Sequence, residues 1–281
     1  GETATFSHPF ILYDTTGIQA NLTLQDTGLP FGQPPASLSF LSNYWSIEVR
    51  AEGELDYSGE ALEPGFSLSL GTGSSLSMKG CQVTNLSRLT MGTQSTVVLD
   101  GCNFTGYVPW VDTSPAPRAI IVRDTSLKGA TFDGLEGPGF ISNSTIGTLR
   151  IENGAVTLRD TTLESVLLLS QASLYAVDCQ IRAENGDTGV RSEGGSCARL
   201  ENCRISGYKT GVGESYSRMA LSMEGCTVEN CSDAGIRFRG QGYSGQRGLL
   251  KAENCRFSDC GVGMDLDLDG HDEIIINSDT L

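Results

Sequence analysis

The chain has 281 residues, 38% of them hydrophobic, with 35 Gly, 9 Pro and a formal net charge of -15. That length permits a sizeable core. The charge argues against a nucleic-acid partner, which needs a basic surface, and no apolar run approaches the ~20 residues of a membrane span.

A short unit recurs along the chain: a turn-forming residue, an anchor, one variable residue, then an apolar residue. In chain order the anchors are Thr27, Cys81, Cys102, Thr125, Ser144, Thr161, Cys179, Cys203, Cys226, Cys255 and Asp279. From Cys81 onward they are 21, 23, 19, 17, 18, 24, 23, 29 and 24 residues apart. A period near twenty residues signals stacked structural units. Residues 1–65 read as an N-terminal cap with irregular first coils, because the register lapses for 54 residues between Thr27 and Cys81. Residues 66–281 read as one continuous regular domain.

The position before each anchor holds only Gly, Asn, Asp or Ser: Asp26, Gly80, Gly101, Asp124, Asn143, Asp160, Asp178, Asn202, Gly225, Asn254 and Ser278. These types favour turns, and Gly, Asn and Asp best tolerate a positive φ. Apolar residues recur five and three residues before the anchor, as in Leu76 and Met78 or Leu221 and Met223, and two after it, as in Val83, Phe104 and Ile205. Inward side chains repeat every two residues along a strand. The odd step from -3 to the anchor flips the face unless the chain bends. Each unit therefore predicts strand, tight corner, strand. A third short strand follows at Gly189-Val190, Gly211-Val212, Gly235-Ile236 and Gly261-Val262.

This pattern resembles the right-handed parallel β-helix repeat of the superfamily that contains pectate lyases, polygalacturonases and phage tailspikes. The resemblance runs from about Ala20 to the C-terminus. It implies an all-β solenoid of about 10–12 coils, each of three short strands, stacked ~4.8 Å apart. In that family the corner often carries an asparagine ladder. Asn202 and Asn254 fit it, but Gly and Asp elsewhere break its continuity. A β-sandwich or β-propeller is the alternative, and the one-residue corner and unbroken register argue against both.

Nine cysteines are too sparse for a disulfide scaffold. No CxxC pair exists: Cys226/Cys231 and Cys255/Cys260 are five apart. Thr and Ser share the cysteines' position, so the thiols read as small packed side chains in a stack. Cys231 and Cys260 would form a second stack of two.

The resemblance implies a ligand site on the outer face of one parallel sheet. With Val190, Val212, Ile236, Phe238, Met264 and Leu266 pointing in, the residues Arg191, Arg237, Arg239, Asp265 and Asp267 point out. Arg with carboxylate suits sugar acids or Ca²⁺-bridged uronates; otherwise the pairs are salt bridges of little weight. Two loops add aromatic candidates for glycan binding: Tyr243 in "RGQGYSGQRG" (239–248) and Trp110 in "GYVPWVDTSPAP". "DLDLDG" (265–270) resembles the opening of a Ca²⁺ loop, with Asp265, Asp267 and Asp269 as ligands. Its twelfth position is Ile276 rather than an acid, which rules out an EF-hand, and alternating Leu also fits a strand with an acidic outer face. Apart from that Ca²⁺ no cofactor is implied.

No catalytic motif of the family is intact: His271 lacks a Gly-His-Gly setting, and "PAPRAIIVR" has the lyase residue types in the wrong order. The expectation is a secreted or cell-surface β-helix that binds glycan or serves as a structural or adhesion rod. The alternative is a polysaccharide lyase or glycoside hydrolase using that outer face. "EIIINSDTL" starts a coil, so either the chain is a fragment of a longer protein or this coil makes an edge or end-to-end contact with a partner.

Overall fold

The structure, a computed structural model, describes residues 21–23, 45–49, 54–58, 61–62, 66–83, 86–112, 119–135, 137–214, 219–239, 248–268 and 272–277. Among them every regular element is a strand. Among the described residues no helix is long and apolar enough to cross a membrane. The chain forms two compact units, Gly1–Ala130 and Thr131–Leu281. The boundary expected after residue 65 falls beside positions 63–65, which lie outside the described residues.

In the first unit, Asn21–Thr23, Glu54–Ser58, Ser75–Lys79, Thr96–Asp100 and Ala119–Arg123 pair in that order, all parallel. A second run joins Trp45–Val49, Phe66–Leu70, Leu86–Met91 and Asn103–Asp112. The lapse expected between Thr27 and Cys81 is shorter than the anchors suggest. Leu55 and Tyr57 stand in register with Leu76 and Met78, so Glu54–Ser58 belongs to a coil of its own. The anchor pattern misses it because the residue two after Ser58 is Glu60, not Cys, Ser or Thr.

In the second unit, a first sheet runs Gly139–Ser142, Ala155–Arg159, Ser173–Val177, Cys197–Glu201, Ala220–Glu224, Leu249–Glu253 and Glu273–Ile276. A second sheet runs Thr145–Glu152, Thr162–Leu169, Gln180–Ser192 and Arg204–Glu214. It then divides, with Thr227–Glu229 and Arg256–Ser258 on one branch and Ala234–Arg239 and Val262–Asp267 on the other. Every pairing is parallel. The all-β parallel helix expected from the sequence is therefore the fold.

The corner before the anchor is where the sequence places it. Gly80, Gly101, Asp124, Asn143, Asp160, Asp178, Asn202, Gly225 and Asn254 all have positive φ, between 47° and 64°. One left-handed residue turns the chain and restores the inward face at the anchor. Across that corner the backbone stays bonded from coil to coil, as in Asp178 N–H to the Glu201 carbonyl (3.0 Å) and Asn202 N–H to that of Glu224 (2.8 Å). Asn202 also donates its side-chain amide to Asp178 (3.3 Å). Gly225 then interrupts the amide row before Asn254, as expected.

In the second unit, separate second and third strands follow only Cys226 and Cys255; after Cys179 and Cys203 they merge into one long strand, Gln180–Ser192 and Arg204–Glu214. All four of these longer coils carry a second left-handed corner, at Asn185, Gly207, Asn230 and Asp259. In the coils anchored at Ser144 and Thr161 the second and third sides are one continuous strand, Thr145–Glu152 and Thr162–Leu169. Seventeen or eighteen residues per turn leave none to spend on another corner. In the longer coils the glycines at 189, 211 and 235 let the neighbouring coil's carbonyl approach. A Cβ on them would lie 2.6–2.7 Å from that oxygen.

The anchors share a physical role that explains their composition. Thr125, Ser144 and Thr161 each donate a hydroxyl to the carbonyl two residues back, at 2.6, 2.7 and 2.8 Å. Cys179, Cys203, Cys226 and Cys255 direct their thiols at the equivalent carbonyls at 3.2–3.5 Å. All are buried. The site selects a short side chain with one donor, which adds a second bond to a corner carbonyl that already accepts a backbone N–H from the neighbouring coil. All nine cysteines are free thiols.

Candidate functional site

The sequence-predicted face is built on the C-terminal branch of the second sheet. Val190, Val212 and Ile236 stack inward and are buried. Met264 continues the column in register but is only half-buried. The intervening side chains point out, and Arg237 stands directly beside Asp265, Arg239 beside Asp267.

These charges satisfy one another. Arg237 Nε donates to Asp265 (3.0 Å) and its terminal nitrogen to Asp233 (2.6 Å). Arg239 reaches Asp265 (2.8 Å) and Asp267 (3.4 Å). Arg237 is held above its usual range by Asp233 first and Asp265 second. Arg191 pairs with Glu193 on its own coil (2.7 Å). The face is a chain of partly exposed ion pairs whose carboxylates already have partners. Such pairs are individually worth about 0–1 kcal/mol.

The other candidates disperse. Trp110, expected in a loop, lies within the strand Asn103–Asp112 of the first unit, in register with Leu89. The anchor pattern ends each strand early, and this strand runs past its usual length. Tyr243, Asp269 and His271 lie outside the described residues. Asp265 and Asp267 face arginine, and among the described residues no three His, Cys, Asp or Glu side chains converge to hold a metal ion.

A different face carries exposed aromatic residues that the sequence reading passed over. On the first sheet of the second unit, the residues four before each anchor form one outward column: Phe140, Thr157, Tyr175, Arg199, Ser222 and Lys251. Phe140 is 47% exposed and Tyr175 36%. Two strand spacings separate their rows, roughly 9.6 Å, and the short side chain of Thr157 stands between. The Arg199 guanidinium lies over the Tyr175 ring, 5.3 Å from its centroid. The Tyr175 hydroxyl donates to Glu201 (2.8 Å), which also pairs with Arg199 at 2.5 Å. Glu201 is held below the usual carboxylate range by the Tyr175 hydroxyl first and Arg199 next. The phenol, correspondingly, is raised by the carboxylate beside it.

Beside this column, Ala155, Ser173, Cys197 and Ala220 present small side chains. The result is a platform with two apolar rings, an open floor and fixed hydrogen-bonding groups at one end. The signal was legible: if -5 and -3 point in, -4 points out, and Phe or Tyr there is exposed by construction.

Comparison with known proteins bears on the fold. The profile described as "right handed beta helix region" matches residues 140–281, half of the chain. No curated protein matches. Among solved structures, the catalytic domain of a GH87 α-1,3-glucanase in complex with tetrasaccharides aligns at 11% identity and a TM-score of 0.30. That alignment covers 84% of this chain and 58% of the other, so the chain spans little more than half the length of that relative. The parallel sheets, the left-handed corners and the profile agree, and the chain belongs to the right-handed β-helix family.

Proposed function

We propose that this chain is a non-catalytic glycan-binding β-helix, secreted or displayed at a cell surface, which receives an uncharged sugar chain on the outer face of its first sheet. The observation that carries the reading is the pair of exposed rings, Phe140 and Tyr175, in one column of a rigid parallel sheet. Aromatic faces supply apolar area at low entropic cost. The Tyr175–Glu201–Arg199 set supplies hydrogen-bonding groups held in place before any ligand arrives. A net charge of -15 favours a neutral glycan over a uronate polymer. Around Arg237 the described carboxylates, Asp233, Asp265 and Asp267, are already engaged by arginine, which weighs against the catalytic alternative on that face.

The test is a panel of neutral and acidic polysaccharides, assayed for retention in affinity electrophoresis and for new reducing ends or unsaturated products. Retention by neutral glycans, lost in Tyr175→Ala and Phe140→Ala but kept in Arg237→Ala, with no product formed, is the expected result. Turnover abolished by Arg237→Ala or Asp265→Ala would refute it.

A further inference from the structure

We infer that Cys231 and Cys260 form a two-coordinate site for a soft monovalent cation of the Cu(I) class, independent of the glycan reading. The two thiols occupy the same position on successive coils. Asn230 and Asp259, which precede them, share a left-handed φ of 54° and 53°. Gly261 N–H bonds to the Cys231 carbonyl (2.9 Å) and Asn230 N–H to that of Ser258 (3.1 Å), which fixes the register. Each thiol also points at the carbonyl two residues back, Cys231 toward Glu229 (3.6 Å) and Cys260 toward Ser258 (3.4 Å). The two side chains are therefore parallel, one coil apart.

That geometry discriminates among thiol chemistries. A disulfide wants Cβ atoms about 3.8 Å apart, whereas parallel side chains on adjacent coils sit ~4.8 Å apart. Tetrahedral zinc wants four ligands, and among the described residues no group of even three candidate ligands converges. A cation held linearly between two thiolates spans two metal–sulfur bonds; taken near the about 2.3 Å of a zinc–thiolate bond, they add to about 4.6 Å, close to the coil spacing. Thiolate sulfur is the ligand that selects Cu(I). The other thiol stack, Cys179, Cys203, Cys226 and Cys255, has the same spacing but every member is buried. Cys231 is also buried, but Cys260 is partly exposed and gives the cation an entrance.

On uptake both S–H bonds break and two S–metal bonds form. Both protons leave to solvent and no electron is transferred. Because both thiols must give up a proton, affinity rises with pH.

The experiment is anaerobic competition of the full chain with bicinchoninate for Cu(I), with native mass spectrometry for stoichiometry and X-ray absorption for the ligand set. One Cu(I) per chain with two sulfur neighbours is expected. Cys231→Ser and Cys260→Ala should each weaken capture by more than the ~10–100-fold typical of losing an outer partner. Cys197→Ser, which removes the exposed solitary thiol, and Cys179→Ser should leave it unchanged. Undiminished capture in Cys260→Ala, a fold-neutral change at a half-exposed position, overturns the inference. So does equal loss in Cys197→Ser, effective competition by Zn(II), or a spontaneous Cys231–Cys260 disulfide in the purified protein.

Discussion

Gly207→Ala tests the second corner most directly. Gly207 has φ +85°, and a Cβ built there would lie 1.9 Å from the Ala183 carbonyl oxygen of the previous coil. Real Cβ atoms do not approach within 3.0 Å, so either the corner or the neighbouring strand must move by about 1 Å. The left-handed conformation alone costs an alanine about 1–2 kcal/mol. Forcing the Ala183 segment or the corner aside adds an overpacking cost of about 1–3 kcal/mol. The total is about 2–5 kcal/mol. Gly101→Ala is the matched control: its φ is +64°, but the nearest atoms to a new Cβ are 3.8 and 3.9 Å away. It should cost only the conformational part, about 1–2 kcal/mol. Gly101→Asn should cost less, since Asn143, Asn202 and Asn254 hold the same corner with φ near 50°. The assay is urea denaturation followed by circular dichroism, reading the midpoint shift at constant slope. A Gly207→Ala midpoint equal to that of Gly101→Ala would refute the close coil contact and the corner derived from it.

Other expected outcomes rest on different parts of the molecule. Cys203→Thr should change stability by less than about 1.5 kcal/mol, because Thr125 and Thr161 already fill the same position and make the same bond; Cys203→Leu should cost about 1–3 kcal/mol by overpacking, both read by denaturation. Cys226 beside it holds the Cys255 thiol down at about 7 against an ordinary 9.0. A depressed acid contributes stability above its unfolded value that is lost as pH falls through the folded one, whereas the buried thiols of Cys203 and Cys226, held up, contribute the opposite slope. The unmodified chain should therefore gain stability relative to Cys255→Thr between pH 7 and 9, and a difference independent of pH would contradict the shift. Arg237→Ala breaks partly exposed pairs and should cost no more than about 1 kcal/mol, measured by thermal unfolding. A larger loss would mean that the Asp233–Arg237–Asp265 network braces the coil.

Much of the fold was legible because its rules are local. A left-handed corner needs Gly, Asn or Asp, and those residues stand before each anchor from Gly80 to Asn254. The strand period of two then assigns Leu76, Met78, Val97 and Leu99 to the interior, where they are buried. The same period placed Arg237 next to Asp265. What it could not convey is that both Asp residues turn to Arg rather than to a ligand, since that depends on side-chain rotamers across two coils. Nor did it mark Glu54–Ser58 as a coil, because Glu60 departs from the anchor chemistry.

The sequence by itself determined the repeat, its corner and the inward set, since each follows from one residue's φ preference or from alternation along one strand. The tertiary structure decided which outward residues share a column. Phe140 and Tyr175 are 35 residues apart in the chain and two rows apart on the sheet. Cys231 and Cys260 become neighbours only through the coil length between them. Those distances are set by how many residues each turn takes, and by whether the turn spends some on a second corner.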